Sequence, residues 1–309
     1  MSPRSRLAAN PIPYWLRRGE VRKTVDAFAL AFADLHDIGY RAVVADVPDG
    51  MAADDYRHWL SIYDLEPAVG FFSSPIEGVD LSAEVSRARR FAAVHVELGL
   101  DCTMLAAAPV RDRWAQPAVG AGYSESRLAR VTDGIGLICE ALNAEGLRPL
   151  LHPLVGGLVE TELEIRTVLD TLGPAFIGFG PDTGHMCWAG VDPADMIRHY
   201  PDRIGAIHLS DVFEDHLRPA TRESNAAELI ATGRLWAGLG TGVVDFPAVL
   251  AALPPDFDGD FVTEVDRPST DSIYKSHEAS FQWATKALAD LIESHESSRS
   301  GLAPYLVDD

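Results

Sequence analysis

Cysteine is scarce. Only Cys102, Cys139 and Cys187 occur in the 309 residues, and no two share a CxxC spacing. A zinc ribbon or a redox pair is thereby excluded, and free thiols in a reducing compartment are expected. Basic residues are also few: 26 Lys and Arg stand against 46 Asp and Glu, a net charge of −20. Nucleic acid and anionic membrane surfaces both call for positive charge on the protein, so neither is an expected partner. No apolar run reaches the roughly 18 residues of a membrane span, and the opening MSPRSRLAANPIPYW has no signal-peptide core. The expected compartment is the cytoplasm. A GxGxxG fingerprint after a strand is missing too, which weighs against an open dinucleotide-binding sheet. The glycine-rich GLGTG at 238–242 follows a loop rather than a strand.

What the chain does have is a repeated alternation of short apolar runs and segments of helical period. Strands are expected at 7–12, 42–48, 67–75, 102–110, 148–156, 175–185, 203–211 and 260–266. Helices are expected at 21–39, 51–65, 81–100, 124–146 and 272–294, with shorter ones opened by Asp192-Pro193 and by Asp245. Thr161 and Glu164 form a T-x-x-E capping box, so another helix begins just after Glu160. Loops are expected at 111–123 and 212–242. Eight strands alternating with eight helices imply an α/β fold, a (β/α)₈ TIM barrel of about 250 residues with insertions. One barrel domain over 1–294 and a tail over 295–309 follow, the tail loosely ordered or docked on a neighbouring subunit of an oligomer.

Polar residues at the C-terminal ends of barrel strands face the active site. Here those positions carry His152 with Glu160 eight residues on, Asp182 with His185, His208 with Asp211, and Glu264 with Asp266. Each follows an apolar run, and each is an oxygen or nitrogen ligand type. A carboxylate, carboxylate, imidazole, carboxylate set suits one divalent ion, Mn²⁺ first, then Mg²⁺, Co²⁺ or Zn²⁺. Glu264 inside FVTEV would otherwise be a buried carboxylate without a partner, at a cost of several kcal/mol. Trp15, Phe71, Phe72, Trp188 and Trp236 stand on loops at the same end and either offer faces for a substrate ring or serve as packing. Arg113, Arg218 and Arg222 either offer positive charge for a phosphate or are simply solvated.

The runs GPDTGHMCWAGVDPADMIRHYPDRIGAIHLSD, GLGTGVVDF and GDFVTEVDRP resemble the xylose isomerase-like barrel family. Sugar phosphate isomerases and epimerases, inosose dehydratases and the metal-binding subunits of C-glycoside deglycosidases belong to it. The resemblance runs from Asn10-Pro11 to the last helix. It implies that Asp182, His208 and Glu264 are metal ligands and that His185 contacts substrate. For the fourth ligand, ketose epimerases carry a glutamate where this chain has His152. HPLVGGLVET fits the inosose dehydratase pattern instead, with Glu160 as the ligand. Leu154 and Ser210 depart from that pattern, standing where a histidine and a lysine are common.

The implied chemistry is proton abstraction next to the carbonyl of a keto-sugar, keto-cyclitol or 3-oxo-glycoside, followed by loss of a β-substituent or by reprotonation. Epimerisation wants a carboxylate on each face of the substrate, and His152 stands in place of one. A lyase is therefore favoured over an isomerase or epimerase. His152 and Glu264 are the expected catalytic groups, with His185, Trp188, Trp236 and Arg218 binding substrate. The resemblance also leaves room for a small second subunit, as in the deglycosidases.

Overall fold

The computed structural model describes residues 5–17, 20–214, 235–268, 270 and 272–301. Eight parallel strands run in chain order: β1 (Leu7–Ala9), β2 (Ala42–Val44), β3 (Glu66–Ala68 and Gly70–Ser74), β4 (Cys102–Ala107), β5 (Arg148–Leu151), β6 (Gly178–Phe179), β7 (Ala206–Leu209) and β8 (Asp260–Thr263). β1 pairs with β2 on one side and β8 on the other. β3 bonds β2 through its first segment and β4 through its second, with the break at Val69. There the Val69 N–H donates 2.7 Å to Asp260 Oδ2, and Asp260 in turn holds Arg6. The ring closes between β6 and β7 through parallel bridges Phe179↔Ile204 and Asp182↔His208. This is the eight-stranded barrel expected from the alternation.

The helices begin where short polar side chains can accept the free N–H groups of a first turn. Thr24 caps α1 (Val25–Ile38). α2 (Ala53–Ser61) starts without a side-chain cap. Asp80 caps α3 (Leu81–Glu97), and after α4 (Arg111–Ala115) Ser124 caps α5 (Glu125–Ala144). Thr161 and Glu164 complete the capping box of α6 (Glu162–Leu172) as the sequence predicts. Asp182 caps α7 (Thr183–Trp188), Asp192 caps α8 (Pro193–His199) and Asp245 caps α9 (Phe246–Ala252). The last helix, α10, spans Ile273–Gly301.

Several boundaries differ from the sequence reading. Residues 21–24 are not helical: Glu20–Val21 pairs with Leu16–Arg17 as a small ribbon, and the helix waits for the Thr24 cap. The expected loop 111–123 contains α4. The closing helix passes residue 294, so the expected tail starts within it. The loop after β7 adds a two-residue ribbon, Asp211–Val212 against Trp236–Ala237.

The barrel interior is lined by mostly small or slim residues, among them Ala8, Ala42, Ala68, Met104, Leu150 and Val262. Glycine at 180 leaves the space that Met104 fills, since a Cβ there would collide with its sulfur. The three cysteines are unpaired. No helix among the described residues is long and apolar enough to cross a membrane.

Candidate metal centre

Backbone register sets the site. Asp182 and His208 face each other across the β6–β7 bridge. The Glu264 N–H donates to Leu209 O at 2.9 Å, and the His152 N–H donates to Leu105 O at 2.9 Å. The four side chains therefore emerge at the same height at the C-terminal ends of β5 to β8.

His152, Asp182 and His208 form a buried group whose ligand atoms all lie within 4.8 Å of one another. His152 Nε2 is 3.3 Å from His208 Nδ1 and 3.6 Å from Asp182 Oδ2. His208 Nδ1 is 3.8 Å from Asp182 Oδ2 and also touches Glu264 Oε2. Ligands around one ion at 2.1 Å in a tetrahedron stand about 3.4 Å apart, close to these spacings. Among the described residues, none donates a hydrogen bond to the buried Asp182 Oδ2 or Glu264 Oε2. The Asp182 and Glu264 carboxylates, side by side with two imidazole donors, offer negative charge that a divalent cation would cancel. These residues fit a metal ion.

The neighbours aim this set. Asp182 Oδ1 accepts the His185 N–H at 2.8 Å and the Ser210 hydroxyl at 2.5 Å, leaving Oδ2 free. Ser210 Oγ accepts the Gly184 N–H at 2.8 Å. Phe71 sets its ring edge-on to His152 at 5.1 Å. Burial raises the proton affinity of Asp182, but His185, His152 and His208 around it outweigh that, so it stays ionised. Burial lowers His208 to about 4 and also lowers His185, so both imidazoles are neutral near pH 7. Burial, and then the neighbouring Asp182, raises Glu264; burial, and then Glu264, raises Asp266 well above the usual carboxylate range.

His185 lies beside the group. Its Nδ1 accepts the Val155 N–H at 3.2 Å, and its Nε2 is 3.8 Å from Asp266 Oδ2. Trp236 packs edge-on against it at 4.8 Å. Trp188 is buried behind Trp236, 6.1 Å away, so its faces meet protein rather than the mouth.

Glu160, expected to complete the ligand set, is not brought to this group. Its Oε1 accepts the Gly120 N–H at 2.8 Å and Arg113 Nη1 at 3.2 Å; its Oε2 accepts the Gly156 N–H at 2.8 Å and the Ala118 N–H at 3.0 Å. Those four donors use the lone pairs a metal would need. His152 occupies the fifth-strand place in the cluster. Arg113 is buried between Glu160 and Glu164 and is not available to an anion. Trp15 and Phe72 are buried in the main core, Trp15 against Phe28 at 4.7 Å and Phe72 beneath the Arg87 guanidinium. The Asp211 carboxylate accepts N–H groups of Gly240, Gly242 and Val244, so the GLGTG loop wraps an internal anion. Arg218 and Arg222 lie outside the described residues. Asn10, whose side chain lowers the proton affinity of Glu264, and the orienting Ser210 were not singled out as site residues from sequence. Asn10 begins the NPIP turn after β1, but a lone polar residue there carries no chemical signature.

Residues 32–291 match the family model described as xylose isomerase-like TIM barrel. Inosose dehydratase of Geobacillus kaustophilus is 28% identical over 145 residues, 47% of this chain and 47% of that protein. Inosose dehydratase 2 of Bacillus cereus is 28% identical over 147 residues, 47% and 49% of the two chains. The chain thus spans about half the length of the curated relatives it matches. Among solved structures, the probable 3-DHS dehydratase AsbF of Bacillus anthracis superposes with a TM-score of 0.67 at 14% identity, covering 91% of this chain and 98% of that one. L-ribulose 3-epimerase gives 0.67 at 15%, covering 95% and 98%. The IolI protein, solved with a bound zinc atom, gives 0.65 at 14%, covering 94% and 99%. At such identities the likeness is one of fold.

Proposed function

Since this chain belongs to the xylose isomerase-like TIM barrel family, we propose that it is a divalent-metal-dependent lyase that eliminates a β-substituent, water or an aglycone, from a keto-cyclitol, keto-sugar or 3-oxo-glycoside. One observation carries this reading. Four ligand-type side chains, His152, Asp182, His208 and Glu264, meet in a buried space, and two of their carboxylate oxygens have no donor among the described residues. Partial identity to inosose dehydratases supports elimination as the reaction.

His152, Asp182, His208 and Glu264 would hold the ion, Mn²⁺ by first expectation, which would supply a Lewis acid for the substrate carbonyl. The protein's own residues do the rest. His152 serves the ion rather than the proton, because its Nε2 faces Asp182 and His208. Glu264 and Asp266 are two neighbouring carboxyl groups with raised proton affinity, and such a pair holds one proton between them. In this reading the ionised Glu264 takes the α-proton. The protonated Asp266 gives its proton to the departing hydroxyl, the C–O bond breaks and water leaves. His185 Nε2–H holds a substrate hydroxyl between them, and Trp236, edge-on behind His185, holds that ring in place.

The test is incubation of metal-loaded protein with inososes, keto-sugars and 3-oxo-glycosides in D₂O, with metal content measured. Release of water or aglycone is the expected outcome. Deuterium entering recovered substrate or its epimer without release would make the protein an isomerase or epimerase. No release and no exchange on any of these classes, with a full equivalent of metal bound, would overturn the reading.

A further inference from the structure

We propose that Glu160 is a positioning residue: gripped by Arg113, it fixes the loop between β5 and α6 so that the Val155 N–H meets His185 Nδ1 and locks that imidazole as its Nε2–H tautomer. The use of that proton on substrate rests on the lyase reading above; the locking itself does not.

The contacts form a chain. Arg113 and the N–H groups of Gly120 and Ala118 fasten Glu160 to the loop around α4. The same carboxylate takes the Gly156 N–H at 2.8 Å. Glu164, also held by Arg113, accepts the N–H groups of Glu160 and Thr161 at 3.0 Å each, which ties the loop to the first turn of α6. From the other side, Val110 N–H donates to Gly156 O at 2.9 Å, and Gly157 lies so close to Ala107 O that a Cβ would not fit. The loop has no slack at Gly156, and the next residue back is Val155. Its N–H donates 3.2 Å to His185 Nδ1. A backbone N–H can only donate, so Nδ1 must offer a lone pair, and the neutral ring carries its proton on Nε2. That nitrogen faces Asp266.

Glu160→Gln is the discriminating variant. Whichever way its amide turns, the NH₂ group meets two N–H donors, either Gly156 and Ala118 or Gly120 and Arg113, and the loop must shift. Two measurements follow on folded protein carrying ¹⁵N-labelled histidine, with the His185 signals assigned by His185→Gln. Long-range nitrogen–proton NMR of the native protein should show His185 as the pure Nε2–H form, and Glu160→Gln should show a mixture of both tautomers. Calorimetric titration of the metal-free proteins with Mn²⁺ should give Glu160→Gln an affinity within about threefold of native, because it is not a ligand. Glu160→Asp keeps the acceptors but withdraws them by one methylene, and serves if the glutamine variant does not fold; it should give a partial mixture. An unchanged His185 tautomer in a folded variant overturns the proposal. So does a loss of Mn²⁺ affinity as large as that of Asp182→Asn, which would make Glu160 a ligand. Neither measurement needs a substrate, so failure of the lyase assay leaves both readable.

Discussion

Asp182 does two jobs with one carboxylate. Oδ1 caps α7 through the His185 N–H and takes the Ser210 hydroxyl, which leaves Oδ2, beside His152 and His208, without a donor among the described residues. Partners of this kind orient a ligand, and their loss typically weakens metal binding about 10- to 100-fold. Ser210→Ala is therefore expected to bind Mn²⁺ that much more weakly in a calorimetric titration, while unfolding in urea close to native. Asp182→Asn and His152→Ala remove proposed ligands and should fall further than Ser210→Ala. Native-like affinity in His152→Ala would return the fifth-strand position to another residue.

Among the elements, α7 is the short one on which the site turns. Its six residues begin just after Asp182, and its first turn lies flat against β7 because residue 184 is glycine. A Cβ there would stand 2.5 Å from Ser210 Oγ and 3.1 Å from the Ser210 carbonyl carbon. Gly184→Ala should push α7 away from β7, cost about 1–3 kcal/mol in urea unfolding, and weaken Mn²⁺ binding along with it. Full metal affinity in the folded variant would mean that α7 does not position Asp182. Elements of this sort were legible in the sequence where their cause is local. The Thr161–Glu164 box, the Asp192-Pro193 start and the Asp245 cap each need only a few consecutive residues, and each appears as read. The ring of eight strands was legible from alternation alone. Side-chain direction was not. Whether Glu160 turns to the barrel axis or outward depends on Gly120 and Arg113, about 40 or more residues earlier, and on the unforeseen α4 that carries Arg113. The same holds for Trp15 and Phe72, for which position along the chain leaves mouth and core both open and packing decides for the core.

For the whole molecule, acidity is the dominant fact, and it bears on metal and on pH in different ways. The chain carries a net −20, and the site gathers Asp182, Glu264 and Asp266 near one another. An ion held there by the folded state alone stabilises it by about 2.7 kcal/mol at a hundred times its Kd. Removing it with a chelator should lower Tm by roughly 5 °C, and adding Mn²⁺ back should restore it; a Tm indifferent to both would count against the centre. Acid sensitivity has a separate source. His277 on α10 is buried, stacked on Tyr14 at 5.6 Å, with no partner for Nε2 among the described residues, and burial pushes it down to about 4. In the unfolded chain the same ring titrates near 6.5. Between those values the unfolded state binds a proton that the folded state refuses, so stability falls as pH drops below about 6.5 and the loss levels off near 4. At about 1.4 kcal/mol per unit, the fall amounts to about 3 kcal/mol from this one residue. His277→Phe keeps an aromatic ring against Tyr14 and has nothing to protonate. Urea unfolding of the metal-free proteins from pH 7 to pH 4 should therefore give the native protein a steeper decline, by close to one proton, with the contribution of His208 common to both. Parallel curves would mean that His277 gains its proton as readily folded as unfolded, through an opening of α10 against β1 and β8 that comes before global unfolding.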